Sequence, residues 1–344
     1  MNNKHIKKFT DIKDQIISKD NFLITAHYSP DGDNLGSCFA IYELLINLGK
    51  KAVVINEDPM PIKFNFLKDI NNDGSEIPFY THKEFLNLES EIFSLNGDKK
   101  FENIIVLDVG SYERIGKVTD FFTTEIEPSI INLDHHHSNP MFGTLSVVDE
   151  SYASTTQLLF DLFEHNSNVE GFEITKSIAT YIYLGILTDT GGFRYSNTNK
   201  NLLSAAAKLT TYGIDPAAIM EKAFYVHSYK DIKKVGKILN NIKMLSPAPI
   251  AYLFHDQFTD PISDNDIVID FLNSIEEAQI TIFARKTGDD FFKLSFRSKT
   301  DYDVSKYVSQ FGGGGHPKAA GLRFRGSYED MYSKIIEKIC DELG

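Results

Sequence analysis

Four short runs constrain the fold of this chain more than any other feature: 22–26 (FLITA), 52–55 (AVVI), 104–107 (IIVL) and 130–133 (IINL). None alternates apolar with polar residues. Each therefore reads as a strand buried on both faces, the condition of strands inside a parallel sheet covered by helices. Helical periodicity fills the gaps. Leu35, Phe39, Tyr42 and Ile46 step by 4, 3 and 4 within 34–48, and Gly49 stops that helix. Further helical patterns lie at 153–165, 174–188 and 201–212. Strands alternating with helices predict an α/β fold with a doubly wound, mainly parallel sheet.

The texture changes after residue 225. A lysine-rich amphipathic helix is expected over 228–244, followed by Ser-Pro-Ala-Pro at 246–249. The segments 250–254, 279–284 and 291–297 are strand-like, a glycine run occupies 312–315, and a last helix begins near 327. With 344 residues, the chain is long enough for about two domains. The expected division is a first domain over 1–225, a linker helix over 226–245 and a smaller α+β domain over 246–344.

The chain carries 35 basic and 48 acidic residues, a net charge of −13. That balance excludes a broad basic face for long duplexes, because phosphate neutralisation needs many Lys and Arg. It leaves room for a small anionic ligand if metal ions or a local charge reversal supply positive charge. Two cysteines, Cys38 and Cys340, form no disulfide framework or cysteine-rich zinc site, which fits a reducing cytoplasm. The first residues have no apolar leader. The longest apolar stretch, near 178–187, is interrupted by Thr180 and is too short to span a bilayer. The expectation is a cytoplasmic protein without a membrane partner.

Three of the strand-like runs end in metal-ligand chemistry. The first leads into His27, Asp31 and Asp33; the third ends at Asp108; the fourth ends at Asp134-His135-His136-His137. Asp189 follows the helical pattern 174–188, just before Thr190-Gly191-Gly192. The C-terminal edge of an open α/β sheet is where ligands bind. Carboxylates and imidazoles without sulfur suit Mn²⁺, Mg²⁺ or Fe²⁺ better than structural zinc. The set is too large for one ion. Two ions bridged by one carboxylate would use it all and would activate a water for in-line attack at phosphorus. Taken alone, each segment has a blander role as a turn, a helix cap or a solvated loop. Four segments placing the same chemistry at one sheet edge argue against four coincidences.

These residues resemble the DHH phosphoesterases, a superfamily that includes RecJ exonucleases and family II inorganic pyrophosphatases. The matching segments are His27-Tyr-Ser-Pro-Asp31-Gly-Asp33, Asp108, Asp134-His135-His136 and Asp189-Thr190-Gly191. Farther along, Phe296-Arg297-Ser298-Lys299, Asp303-Val304 and the run from Gly312 through His316 to Gly321 resemble the DHH-associated domain. The two-domain length is most similar to the NrnA type, the oligoribonucleases and pAp phosphatases. The resemblance implies an active site in the interdomain cleft and two Mn²⁺ ions, with Mg²⁺ or another divalent ion as substitute. It implies that His27 and Asp31 hold one ion, that Asp33, His135 and Asp189 hold the second, and that Asp108 bridges them. Asp134 would orient the histidines, and His136 would face the scissile phosphate as hydrogen-bond donor or general acid. Arg114 and Asn139 match positions near the phosphate. Gln157 departs from the family, where many relatives carry Glu, but it is not an expected ligand.

The second domain supplies the charge reversal. Residues 285–325 hold nine basic and four acidic side chains, a local balance of +5, which favours an anionic ligand. Four glycines allow backbone N–H groups to reach a phosphate or base edge. Lys318-Ala-Ala is expected to open a helix whose N-terminus would also favour an anion. The resemblance implies that Arg297, Ser298, Gly314, Gly315 and His316 bind the distal nucleotide.

The expected activity is Mn²⁺-dependent hydrolysis of very short single-stranded oligonucleotides (nanoRNA), linear dinucleotides and 3′-phosphoadenosine 5′-phosphate to mononucleotides. Three alternatives stay open: opening of a cyclic dinucleotide such as c-di-AMP, pyrophosphatase or exopolyphosphatase activity, and non-catalytic regulation by nucleotide binding. A homodimer is an assembly that the family analogy allows.

Overall fold

In the computed structural model of the chain, which describes residues 3–70, 76–88, 100–123, 125–262 and 265–344, the four apolar runs become strands. They are β1 (Phe22–Ala26), β2 (Ala52–Asn56), β4 (Asn103–Leu107) and β5 (Ser129–Asp134). Two short strands without a comparable apolar run, β3 (Phe79–Thr81) and β6 (Leu145–Val148), form the edges. The sheet order is β3-β2-β1-β4-β5-β6, and every pairing is parallel. The order therefore runs outward in opposite directions from β1 and β4, which makes their shared C-terminal edge the topological switch point.

Helices cover this sheet. The first unit contains α1 (Ile6–Ser18), α2 (Gly32–Asn47), α3 (His82–Leu86), α4 (Thr155–His165), α5 (Lys176–Asp189), α6 (Lys200–Leu209) and α7 (Pro216–Phe224). One core joins β1, β4 and β5 to α2, α4 and α5 through Ile24, Leu107, Leu133, Leu35, Leu159 and Ile182. A second core, including Val106, Ile115 and Val118, lies on the opposite side of the sheet. Burying each large aliphatic side chain contributes about 1.5–3 kcal/mol. The α2–α5 crossing is close because both helices carry glycine there: a Cβ on Gly36 would sit 2.5 Å from the Tyr181 carbonyl oxygen.

The chain divides between Val226 and His227. The second unit contains α8 (Tyr229–Leu239), β7 (Lys243–Met244), β8 (Ile250–Asp256), α9 (Asp266–Asn273), β9 (Ile280–Gly288), β10 (Phe291–Ser298), α10 (Val304–Ser309), β11 (Gly314–His316) and β12 (Ala319–Arg325). It ends in α11 (Tyr328–Met331), a π-helical stretch Tyr332–Glu337 and α12 (Lys338–Leu343). Its sheet, β11-β12-β10-β9-β8-β7, is mixed: β8 and β9 are parallel and the other pairs antiparallel. The C-terminal helices pack Ile335, Ile336 and Ile339 against Ile282, Leu294 and Phe296.

Two local expectations need correction. The lysine-rich helix stops at Leu239, before Asn240-Asn241, and is not a linker: Val235 and Ile238 pack with Leu253, Val268 and Leu272 in the second unit's own core. Lys318-Ala-Ala opens no helix, because Ala319 and Ala320 pair with Arg297 and Phe296 as the start of β12. Sheet pairing overrides alanine's helical preference there. Among the described residues, no helix is long and apolar enough to cross a membrane.

Candidate metal centre

Local structure delivers each side chain to the switch point. Asp31 caps α2, its Oδ1 accepting the N–H groups of Asp33 and Asn34 at 3.1 and 3.0 Å. Its Oδ2 is thereby left toward His27 Nε2, 3.7 Å away. The Nδ1–H of His27 donates to the Tyr28 carbonyl at 2.7 Å, so a neutral ring directs its Nε2 lone pair at Asp31 and at Asp108 Oδ2, 3.3 Å away. Asn34 and Asn56 donate to the His27 carbonyl at 2.8 and 3.1 Å and fix the backbone behind the ring. Asp108 follows β4 with a φ of 56°, a left-handed conformation that aspartate tolerates better than most residues.

The other oxygen of Asp108 faces a second group. His135 Nε2 is 3.5 Å from Asp108 Oδ1 and 3.2 Å from Asp189 Oδ2. Asp189 is the last residue of α5, and Asn197 donates to its carbonyl at 3.1 Å. Asp33, fully buried, completes this group. The first turn of α4 holds its carboxylate. Oδ1 accepts from the N–H and hydroxyl of Thr156 at 2.9 and 2.6 Å, and Oδ2 accepts from the Thr155 N–H at 2.6 Å. A carboxylate oxygen has two acceptor sites, so Oδ2 keeps one for a cation. The Thr155 hydroxyl also donates to Asp108 Oδ1 at 3.1 Å.

Two ligand clusters result. One atom each from His27, Asp31 and Asp108 lies within 4.8 Å of the others, and the same holds for Asp33, His135 and Asp189. Lone pairs facing lone pairs in a buried pocket require positive charge between them. In the chain alone, protons provide it. Burial pulls His27 down, but Asp108 and Asp31 outweigh it and raise its pKa to about 10. His135 is raised in the same way by Asp108 and Asp189 against burial. Burial pushes Asp108 up, yet His135 and His27 hold it well below the usual carboxylate range. Burial, with Asp108 and Asp189 nearby, raises Asp33 well above it, and burial raises Asp189 to about 6. The donor set is all nitrogen and carboxylate oxygen, which fits hard or borderline divalent ions.

Behind the clusters, fully buried Asp134 accepts the Nδ1–H of His136 at 2.7 Å and the backbone N–H of His135 at 2.8 Å through Oδ1. Its Oδ2 accepts the Asn139 amide at 2.8 Å. Asn139 is itself buried, and its amide also contacts the Val109 carbonyl and Asn132 Oδ1 at 2.8 and 3.0 Å. The structure thus places Asn139 as a support for Asp134. The third histidine, His137, points away: its side chain is 86% exposed and pairs with Glu150 at 2.9 Å. Arg114 lies with its guanidinium carbon 5.6 Å from the Tyr28 ring centre, on the loop that follows His27. Thr155 and Thr156 were marked in the sequence only by the Ser-Thr-Thr-Gln start of an apolar helix, a capping signal. The Gln157 side chain accepts the Ala153 N–H at 2.8 Å, which completes the cap.

In the second unit, Arg297 lies on β10 and donates Nη1 to the Phe296 carbonyl at 3.0 Å. Ser298 is buried and donates to the Thr300 carbonyl at 3.0 Å. Gly314, Gly315 and His316 form the exposed strand β11, paired with Gly321, Ala320 and Ala319. Gly315 has a φ of +146°, and a Cβ there would meet the Ala319 carbonyl oxygen at 2.5 Å.

Comparison with known proteins agrees with this architecture. The model of the DHH family N-terminal domain matches residues 21–186, and that of the DHHA1 domain matches residues 249–344. The chain thus carries a DHH domain followed by a DHHA1 domain. It is similar to the bifunctional oligoribonuclease and PAP phosphatase NrnA of Thermus thermophilus, with 29% identity over 93% of this chain and 89% of that one. Its fold is similar to that of an exopolyphosphatase-related protein from Bacteroides fragilis, with a TM-score of 0.80 and 24% identity over 98% of this chain and 96% of that one. It also aligns with RecJ of Thermus thermophilus in complex with Mn²⁺, with a TM-score of 0.51 and 11% identity over the whole of this chain (100%) and 55% of that one.

Proposed function

We propose that this chain is a Mn²⁺-dependent phosphoesterase that hydrolyses very short oligoribonucleotides, linear dinucleotides and 3′-phosphoadenosine 5′-phosphate (PAP) to mononucleotides. One observation carries the metal part of the reading. Asp108 directs Oδ2 at the His27 cluster and Oδ1 at the His135 cluster, as a carboxylate shared by two ions must. The substrate class follows from the relatives, since the NrnA proteins of Thermus thermophilus and Bacillus subtilis are named as bifunctional oligoribonucleases and PAP phosphatases.

Two divalent ions, one held by His27, Asp31 and Asp108 and the other by Asp33, His135, Asp189 and Asp108, would supply Lewis-acid charge at the phosphoryl group and lower the pKa of a water. The protein's own residues do the rest. Asp134 fixes the His136 tautomer by taking its Nδ1–H, which turns Nε2 to the substrate side. The form that donates a hydrogen bond or a proton from Nε2 to the leaving oxygen is the imidazolium, whose Nδ1–H stays on Asp134 while Nε2 gives up the second proton. Three hydrogen bonds from the α4 N-terminus favour the ionised form of Asp33 that a cation would need, against the burial and neighbouring carboxylates that raise its pKa. Arg297 and the β11 backbone would hold the nucleotide that is not cut.

The deciding experiment is a Mn²⁺ assay of the purified protein across PAP, linear and cyclic dinucleotides, polyphosphate, and oligoribonucleotides of two to ten residues. Turnover of PAP and the shortest linear substrates is expected. Exclusive turnover of cyclic dinucleotide or polyphosphate, or no turnover with nucleotide binding intact, would sink this reading.

A further inference from the structure

Two guanidiniums of the second unit, those of Arg285 and Arg297, form no ion pair with a carboxylate among the described residues. On one face of its sheet, Ala251, Leu253 and Phe283 pack into the core beneath α8 and α9. The neighbouring strand presents Ser295, paired with Phe283, and Arg297, paired with Thr281. Side chains alternate along a strand, so Arg285 shares this face with Phe283. Its guanidinium carbon sits 5.2 Å from the Phe283 ring centre, and Nη2 donates to Ser295 Oγ at 3.0 Å.

Arg285 Nε is buried and has no acceptor. Among the described residues, neither Arg285 nor Arg297 forms an ion pair with a carboxylate. Burial lowers the Arg285 pKa; Asp266 opposes this, and the positive charge of Arg297 adds to it. A buried donor without an acceptor and two like charges in proximity both cost stability. One anion would relieve both. The Ser295 hydroxyl accepts from Arg285 and so keeps its own hydrogen to donate. Across from it, Gly321 leaves the surface open: a Cβ there would meet only the Leu294 carbonyl oxygen, at 3.8 Å. Two guanidiniums and a hydroxyl match the several oxygens and the charge of a phosphate better than the two oxygens of a carboxylate.

We propose that Arg285, Ser295 and Arg297 form a phosphate subsite that holds a phosphate of the bound nucleotide other than the one being cut. The nucleotide as its source rests on the function proposed above; the anion does not. Isothermal titration of the full-length protein in EDTA, with pApA, ApA and orthophosphate, tests it without the metal ions. Wild type binds pApA more tightly than ApA. Arg285→Gln weakens pApA binding about tenfold and removes that difference. Arg285→Lys and Ser295→Ala have smaller effects, and the latter serves if Arg285→Gln does not fold. Lys334→Gln makes the same charge change on the helical segment that packs against the opposite face of the sheet, and it leaves binding unchanged. Absence of pApA binding in EDTA, an Arg285→Gln effect within twofold, or an equal loss in Lys334→Gln overturns the subsite. Orthophosphate binding as tightly as pApA overturns the nucleotide as its source. Turnover of pApA by wild type in Mn²⁺ is scored separately, so binding without turnover counts against the proposed function and not against the subsite.

Discussion

His136 Nδ1 lies 2.7 Å from Asp134 Oδ1, and the carboxylate that receives it is fully buried. The imidazole is therefore fixed in one tautomer by a group that cannot reorient. Asp134→Asn keeps the shape but places an amide against Nδ1. It should lower kcat about 10–100-fold with little change in KM, the usual cost of losing a carboxylate that orients a histidine. Steady-state kinetics in saturating Mn²⁺ measure this, and kcat within twofold of wild type would contradict the orienting role.

Gly185 is placed so that a Cβ would lie 2.5 Å from Asp33 Oδ1 and 2.4 Å from Thr156 Oγ1. Gly185→Ala must displace the carboxylate or part α5 from α4. Overpacking of this kind costs about 1–3 kcal/mol, and a misplaced reacting group costs up to about 100-fold in rate. Calorimetric Mn²⁺ titration and turnover should both show the loss. Wild-type values for both would mean that the two helices can separate without moving Asp33.

Asp108→Ala removes a carboxylate from both clusters at once. Turnover should be abolished, and Mn²⁺ titration should show weakened binding at two sites. Loss at one site alone, or substantial residual turnover, would assign Asp108 to a single ion.

The metal-free protein should lose stability as pH rises. His27 is held at about 10 in the fold against an ordinary 6.5. A raised pKa gives stability that is complete below about 6.5 and lost as pH climbs toward 10. Asp189, raised from 3.8 to about 6, acts in the same direction at lower pH. In EDTA, Tm should fall between pH 6.5 and 10. With Mn²⁺ at 100 times its Kd, stability should rise by about 2.7 kcal/mol, and the slope should flatten as ions replace protons. A flat thermal-shift profile in EDTA would refute the protonated cluster.

Arg297→Ala should raise KM for a linear dinucleotide about tenfold or more, the scale of a lost hydrogen bond to a charged group, and should affect PAP less. Equal effects on the two substrates would contradict a role at the second nucleotide.

Much of the first unit was legible because its central strands are buried on both faces, so Leu23, Ile105 and Ile131 advertise themselves without alternation. The edge strands β3 and β6, three and four residues long, bury too little to leave a pattern. Ala319 and Ala320 misled because local preference favours helix there, while the pairing that decides the outcome is with the distant β10. At the site, His27, Asp31, Asp33, Asp108 and His135 could be read from strand ends, and Asp189 from the end of a helical pattern. The behaviour of Asn139 could not: whether an amide faces substrate or braces a carboxylate depends on a hydrogen bond across the loop, which no spacing encodes.

The placement of Asp189 at the end of α5 also sets an order of events during synthesis. Every other proposed ligand, and the α4 turn that grips Asp33, precedes it in the chain. A growing polypeptide released from the ribosome's exit tunnel only as far as α4 would carry every residue of the His27 cluster, but it would lack both Asp189 and the α5 side chains, Ile182 among them, that complete the core behind the sheet. Full metallation is then reserved for a chain that has finished α5, because that helix brings both the last carboxylate and the packing that holds α2 in place.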